Sequence, residues 1–150
     1  MAISKIGKSQ KSSQILQNVL KNEHSEIIGG TFYGTRREIL AQNLAVCRVR
    51  PAVKNNMIHI IEYYYPGEEV SDETINYRAK EKIRRLGCID FFYLVVKQNL
   101  PNLHVHILLN RIKWDGSLFD DSFIALRAIA VTKELDAELG MHKTEFDNFK

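Results

Sequence analysis

The sequence predicts an α+β domain, an antiparallel sheet covered by helices. Three observations lead there. Amphipathic helical stretches alternate with short β-rich runs, two of those runs flank a turn at Pro101-Asn102 and can pair as a hairpin, and the second of them alternates so that one face is wholly apolar. The 150 residues, 45% hydrophobic and 26% charged, suit one domain spanning 1–150 with an ordinary core.

The elements follow in order. A short strand is expected over residues 2–6, then a helix capped by Ser12 or Ser13 with Ile15, Leu16, Val19 and Leu20 on one face, ending before a turn at Gly29-Gly30. Thr35 and Glu38 form a capping box that opens a second helix through Ile39, Leu40, Leu44 and Cys47, stopping near Pro51. Residues 57–64 form a strand ending at Pro66-Gly67, and Ser71 or Asp72 caps a helix bearing Ile75, Ala79, Ile83 and Leu86, closed by Gly87. The hairpin joins a strand from Phe91 to Lys97 with one over 103–110. After a turn at Asp115-Gly116, a last helix runs from about Asp121 to Leu139 and presents Phe123, Leu126, Ile129, Ala130 and Leu135.

Composition narrows the function. No stretch is long and apolar enough for a membrane helix and no secretory leader is recognisable, so a cytoplasmic location is expected. Cys47 and Cys88 lack any CxxC partner and are expected as reduced thiols. Residues 1–50 carry eight Lys/Arg against three acids, whereas 111–150 carry six against eight. Lys5, Lys8, Lys11, Lys21, Arg36, Arg37, Arg48 and Arg50 make the N-terminal part basic, which suits a phosphate backbone.

The strongest chemical signal is Leu103-His104-Val105-His106-Ile107-Leu108-Leu109-Asn110. Strand alternation puts His104, His106, Leu108 and Asn110 on one face and an apolar set on the other. Two imidazoles on a rigid strand can hold a divalent cation that polarises a phosphate oxygen. His59 and Glu62 lie on opposite faces of the 57–64 strand, so at most one of them joins the pair.

An ordered set of segments extends this signal: Ile15-Leu16-Gln17-Asn18-Val19-Leu20, Glu26-Ile27-Ile28-Gly29-Gly30, Gly34-Thr35-Arg36-Arg37-Glu38, His59-Ile60-Ile61 before Pro66-Gly67-Glu68, Ser71-Asp72-Glu73, Leu86-Gly87, His104-Val105-His106-Ile107, and Asn110-Arg111-Ile112 before Asp115-Gly116. Together they resemble the nuclease domain of MobA-type plasmid mobilisation relaxases, a branch of the HUH endonucleases, over nearly the whole chain. The resemblance implies an HUH relaxase-like fold. It implies that a tyrosine on the first helix attacks a phosphodiester at the transfer origin and becomes joined to the 5′ phosphate, while three histidines hold a metal on the scissile phosphate.

The chain departs from that pattern at three positions. The family's His-x-Asp-x-x-x-x-His-x-His aligns with Lys97 to His106, so Lys97 stands at the first histidine and Asn99 at the aspartate. A protonated lysine has no lone pair for a cation but can approach a phosphate directly. Counting back eleven residues from Gly29 puts Asn18 at the tyrosine position, and an amide is no nucleophile. Tyr33, with Tyr63, Tyr64 and Tyr65, are the nearest tyrosines in sequence; packing or base stacking is their simpler role.

The expected function is therefore a relaxase-like domain that binds plasmid or mobile-element DNA, as single strand or origin duplex, and lacks tyrosine-dependent nicking. Lys5, Lys8, Lys11, Arg36, Arg37, Lys97, Asn99, Asn110 and Arg111 are the expected DNA contacts, with other mobilisation proteins as further partners. His104 and His106 are the expected metal ligands, for Mn²⁺, Mg²⁺ or Zn²⁺ bound weakly or not at all. The competing reading is an active divergent relaxase using Tyr33 or another residue. A two-histidine phosphoesterase needs a second HxT-type motif that is missing from the sequence.

Overall fold

A computed structural model describes residues 3–6, 9–141 and 145–147. The elements run β1 (Ile3–Ile6), α1 (Ser12–Lys21), β2 (Ser25–Gly30), α2 (Arg36–Val49), β3 (Met57–Tyr63), α3 (Asp72–Arg85), β4 (Tyr93–Gln98), β5 (His104–Asn110), α4 (Ile124–Leu139) and β6 (Glu145–Asp147). The strands form one sheet in the order β2-β4-β5-β3-β1-β6. The first five pair antiparallel and β6 runs parallel to β1. The α+β class and the β4–β5 hairpin are as the sequence predicts.

Helices cover both faces of the sheet. Leu16, Val19 and Leu20 of α1 and Ile39 of α2 pack on Met57, Leu94, Val96 and Leu108. On the opposite face Ile75, Ala79 and Ile83 of α3 and Ile124, Ala128, Val131 and Leu135 of α4 pack on Ile58, Ile60, Val95, Val105, Ile107 and Leu109. Every residue of β5 is buried because helices lie on both its sides. Each such aliphatic side chain contributes about 1.5–3 kcal/mol by leaving water.

The local signals for α2 and α3 hold. Thr35 accepts from the Glu38 amide while the Glu38 side chain accepts from the Thr35 amide, a complete capping box, and Ser71 caps α3 through the Thr74 amide. Both cysteines are free thiols. Three expectations need correction. The N-cap of α1 is Lys11, since the Ser12 amide is taken by Asn56 Oδ1 at 2.9 Å. Helix α4 starts at Ile124 rather than Asp121, and Phe123 and Leu126 are 77% and 66% exposed, because the face that meets the sheet is Ile124, Ala128, Val131 and Leu135.

The third correction concerns Gly29-Gly30, which end strand β2 instead of forming a turn. The glycines serve close approach: a Cβ on Gly29 would lie 1.9 Å from Asn76 Oδ1 of α3, and one on Gly30, whose φ is +114°, would lie 2.4 Å from the Tyr93 carbonyl oxygen. A register shift between Ile27 and Gly29 accommodates the same stretch.

Candidate functional site

Sheet register assembles the site. His104 lies opposite Gln98 on β4 and Tyr63 on β3, His106 opposite Val96 and Ile61, and Leu108 opposite His59. Directly opposed residues share a face, so His59, Tyr63, Gln98, His104 and His106 all face the α1 side. Glu62 points the other way, which settles which residue of β3 joins the pair: His59. Between sheet and helix is a cleft of about 310 Å³ with Asn18 and Val19 of α1 and its C-cap Asn22 on one wall and His59, Gln98 and His106 on the other.

Hydrogen bonds fix the orientation of these side chains. The Ser25 hydroxyl donates to the Val19 carbonyl at 2.7 Å, so its oxygen receives the Gln98 Nε2–H at 2.7 Å. That turns Gln98 Oε1 toward the histidines, 2.7 Å from His104 Nε2 and 3.2 Å from His106 Nε2. An amide oxygen only accepts, so both ring nitrogens donate to it. His104 Nδ1 lies 2.9 Å from the Asn102 carbonyl, also an acceptor, so both contacts are made together only by the imidazolium, which carries a hydrogen on each nitrogen. His106 Nδ1 then accepts from His59 Nε2–H at 2.8 Å.

The rings also stack. The Lys5 ammonium sits 5.5 Å from the Tyr63 ring centre, Tyr63 stacks on His104 at 5.3 Å, His104 meets His106 edge-on at 5.3 Å, and His106 stacks on His59 at 5.0 Å. Burial pushes His59 down to about 4. Burial, reinforced by the neighbouring His59 and His104, pushes His106 down to about 3. At neutral pH both rings are uncharged, as their hydrogen-bond pattern requires.

The metal that the resemblance implies does not fit this arrangement. Among the described residues no three His, Cys, Asp or Glu side chains are grouped to hold an ion. Coordination needs bare ring nitrogens converging on one point. Here the two Nε2 atoms converge on Gln98 Oε1 as donors, and His59 addresses His106 Nδ1 instead of that point.

The other sequence-predicted residues separate into groups. Asn18 borders the cleft on α1, exposed, with its Oδ1 held by Gln14 Nε2 at 3.1 Å. Tyr33 is 73% exposed and tied by its backbone to Gln42 of α2, and it does not line the cleft. Lys97, expected beside the histidines, is corrected to the opposite face: it pairs with Val105, and its ammonium lies 2.6 Å from Asp72 and 3.5 Å from Glu26. Asn110, expected as a DNA contact, is fully buried, donating to Asn43 Oδ1 and accepting from the Ile112 amide. Arg111 is engaged by Asp121 and by the Phe119 and Asn55 carbonyls. Arg36, Arg37, Lys11 and Asn99 are exposed and Lys5 is half-buried, while Lys8 lies outside the described residues.

Sequence reasoning missed Gln98 and the stacking of Tyr63. Both were within reach of parity: a loop of five residues, 99–103, makes Gln98 the first residue opposite His104, and Tyr63 follows His59 and Ile61 on the same face.

The chain matches no curated protein and no solved structure. A family model described as "Relaxase: MobA/VirD2-like, nuclease domain" matches residues 14–141, which takes in both walls of the cleft and every strand from β2 to β5. The chain therefore belongs to the MobA/VirD2-like relaxase nuclease-domain family.

Proposed function

We propose that this domain binds the DNA of a plasmid or other mobile element, in the cytoplasm and alongside other mobilisation proteins, without nicking it. The observation that carries this reading is Asn18. It stands on the α1 wall of the cleft beside His59 and His106, where the family uses a tyrosine, and its amide cannot attack phosphorus. Membership of the family supports DNA as the ligand. Among the described residues no helix is long and apolar enough to cross a membrane. The exposed Arg36 and Arg37 at the start of α2, with Lys11, supply phosphate contacts.

Wild type and Asn18→Tyr are compared for retention of a labelled single-stranded oligonucleotide and for Mn²⁺-dependent relaxation of a supercoiled plasmid carrying the transfer origin. Wild type binds without relaxing the plasmid. Replacing Arg36 and Arg37 by alanine weakens binding and lowers the salt slope by about one per lost phosphate contact. Relaxation by wild type that disappears with His104→Ala overturns the proposal.

One observation favours the alternative of an active divergent enzyme. Tyr63, not Tyr33, is the tyrosine that lies against the histidines, stacked on His104 at 5.3 Å. Under that reading Tyr63→Phe abolishes relaxation while oligonucleotide binding persists. Recovery of a covalent protein–DNA adduct linked through Tyr63 would decide for it.

A further inference from the structure

We propose that Gln98 closes the histidine pair to metal: its amide oxygen takes hydrogen bonds where a divalent metal would need the Nε2 lone pairs of His104 and His106. Direction of hydrogen bonding carries the proposal. Ser25 spends its single hydroxyl hydrogen on the Val19 carbonyl, so it can only accept from Gln98 Nε2, and the amide is fixed in one of its two orientations. In that orientation Oε1 faces both Nε2 atoms, at 2.7 and 3.2 Å, which are hydrogen-bond lengths from N–H donors.

A cation shared by the two rings would lie about 2.1 Å along the same directions. It would fall between the nitrogens and the amide oxygen, in space that the oxygen already fills. Admitting it requires Gln98 to withdraw, which breaks two bonds to histidine and strips Ser25 of its donor. Gln98 is only 6% exposed, so these groups would have no ready replacement from water. The third histidine does not compensate, because His59 Nε2 is committed to His106 Nδ1 on the far side of that ring.

The consequence is a cleft floor of hydrogen-bonded imidazoles whose order is set from the sheet edge through Ser25 and Gln98. Metal occupancy is read here without DNA, so it can fail while the DNA-binding reading stands.

The test is titration of the full chain with Co²⁺ alone, read by calorimetry and by the visible absorption of the bound ion. Wild type, Gln98→Glu, and each combined with His106→Ala are compared. The glutamate keeps the size of Gln98 but offers a carboxylate ligand in place of the amide oxygen. The proposal expects no saturable binding by wild type. It expects one-to-one binding by Gln98→Glu, tighter by about tenfold or more and lost when His106 is also replaced. Equal behaviour of wild type and Gln98→Glu, both binding or both not, overturns it.

If Gln98→Glu does not fold, the ring-nitrogen resonances of the wild-type histidines decide. A hydrogen on Nε2 of both His104 and His106 sustains the proposal, and a bare Nε2 on either refutes it. DNA is absent from these measurements, so their outcome is read separately from oligonucleotide binding.

Discussion

The two faces of strand β3 bury polar groups in opposite ways. On the α3/α4 face Glu62 is fully enclosed between the Lys82 ammonium, with which it pairs directly, and Arg78 Nε at 3.0 Å, and Arg78 reaches on to Asp136 at 2.7 Å. On the α1 face His59, only three residues away, belongs to a network of stacked imidazoles and amides bordering a cleft. Closed ion pairs hold the helices to the sheet, whereas the hydrogen-bonded array keeps polar atoms at a surface that a ligand can reach. Burial of charge is therefore not what marks the site here; adjacency to a cleft is.

The largest expected effect breaks the ionic face. Glu62→Ala leaves Arg78 and Lys82 buried without their carboxylate and lowers stability by about 3–5 kcal/mol in denaturant unfolding. The equivalent loss on the other face, at His59 or His106, is smaller, because these rings are neutral.

Acid separates the two faces more finely. His59 and His106 are held at about 4 and about 3, below the ordinary histidine value of 6.5, so the unfolded chain takes up protons first. Stability should fall as pH drops from 6.5 toward about 3–4, by at most about 1.4 kcal/mol per pH unit for each ring. On the ionic face burial alone would raise the Glu62 carboxyl, but the charges of Lys82 and Arg78 override it and hold it at about 2. Its contribution is present above the ordinary value of 4.5 and is lost only as pH falls from there toward 2. Unfolding midpoints across pH 7 to 5 should flatten in His59→Gln with His106→Gln while keeping their further decline below pH 4.5; a flat profile in wild type over pH 7 to 5 would contradict the neutrality of His59 and His106.

Ser25→Ala removes one acceptor of Gln98 and one donor to α1, and should cost about 1 kcal/mol per lost bond in thermal unfolding. The smallest effect is expected of Lys97→Ala, which loses partly screened contacts with Asp72 and Glu26 worth less than about 1 kcal/mol. It should leave the histidine resonances unmoved, since Lys97 lies on the ionic face. A shift of those resonances would return Lys97 to the site.

What the sequence shows of this molecule is what depends on neighbours along the chain. The Thr35–Glu38 box, the Ser71 cap and the two-residue repeat of His104 and His106 are local, and each is found where expected. The errors arise where a distant element decides. Gly29-Gly30 look like a turn because their actual reason, the approach of Asn76 and Tyr93, lies on α3 and β4. Ending β4 at Lys97 hides Gln98, and because side chains alternate, one residue exchanges a cation paired on the other face for the amide that faces the histidines. Family alignment alone places Lys97 in the site; the strand pairing removes it.

Ser25 acts as a joint between the helix and the sheet. The carbonyl it holds belongs to Val19, the residue after Asn18, in the last turn of α1 where backbone acceptors lack partners within the helix. The same hydroxyl oxygen steadies Gln98. A strand of DNA that pressed on α1 hard enough to draw the Val19 carbonyl away would free the Ser25 hydrogen to turn, and with it the amide that orders the histidines. Contact on one wall of the cleft would thus be felt on the other through a single oxygen atom.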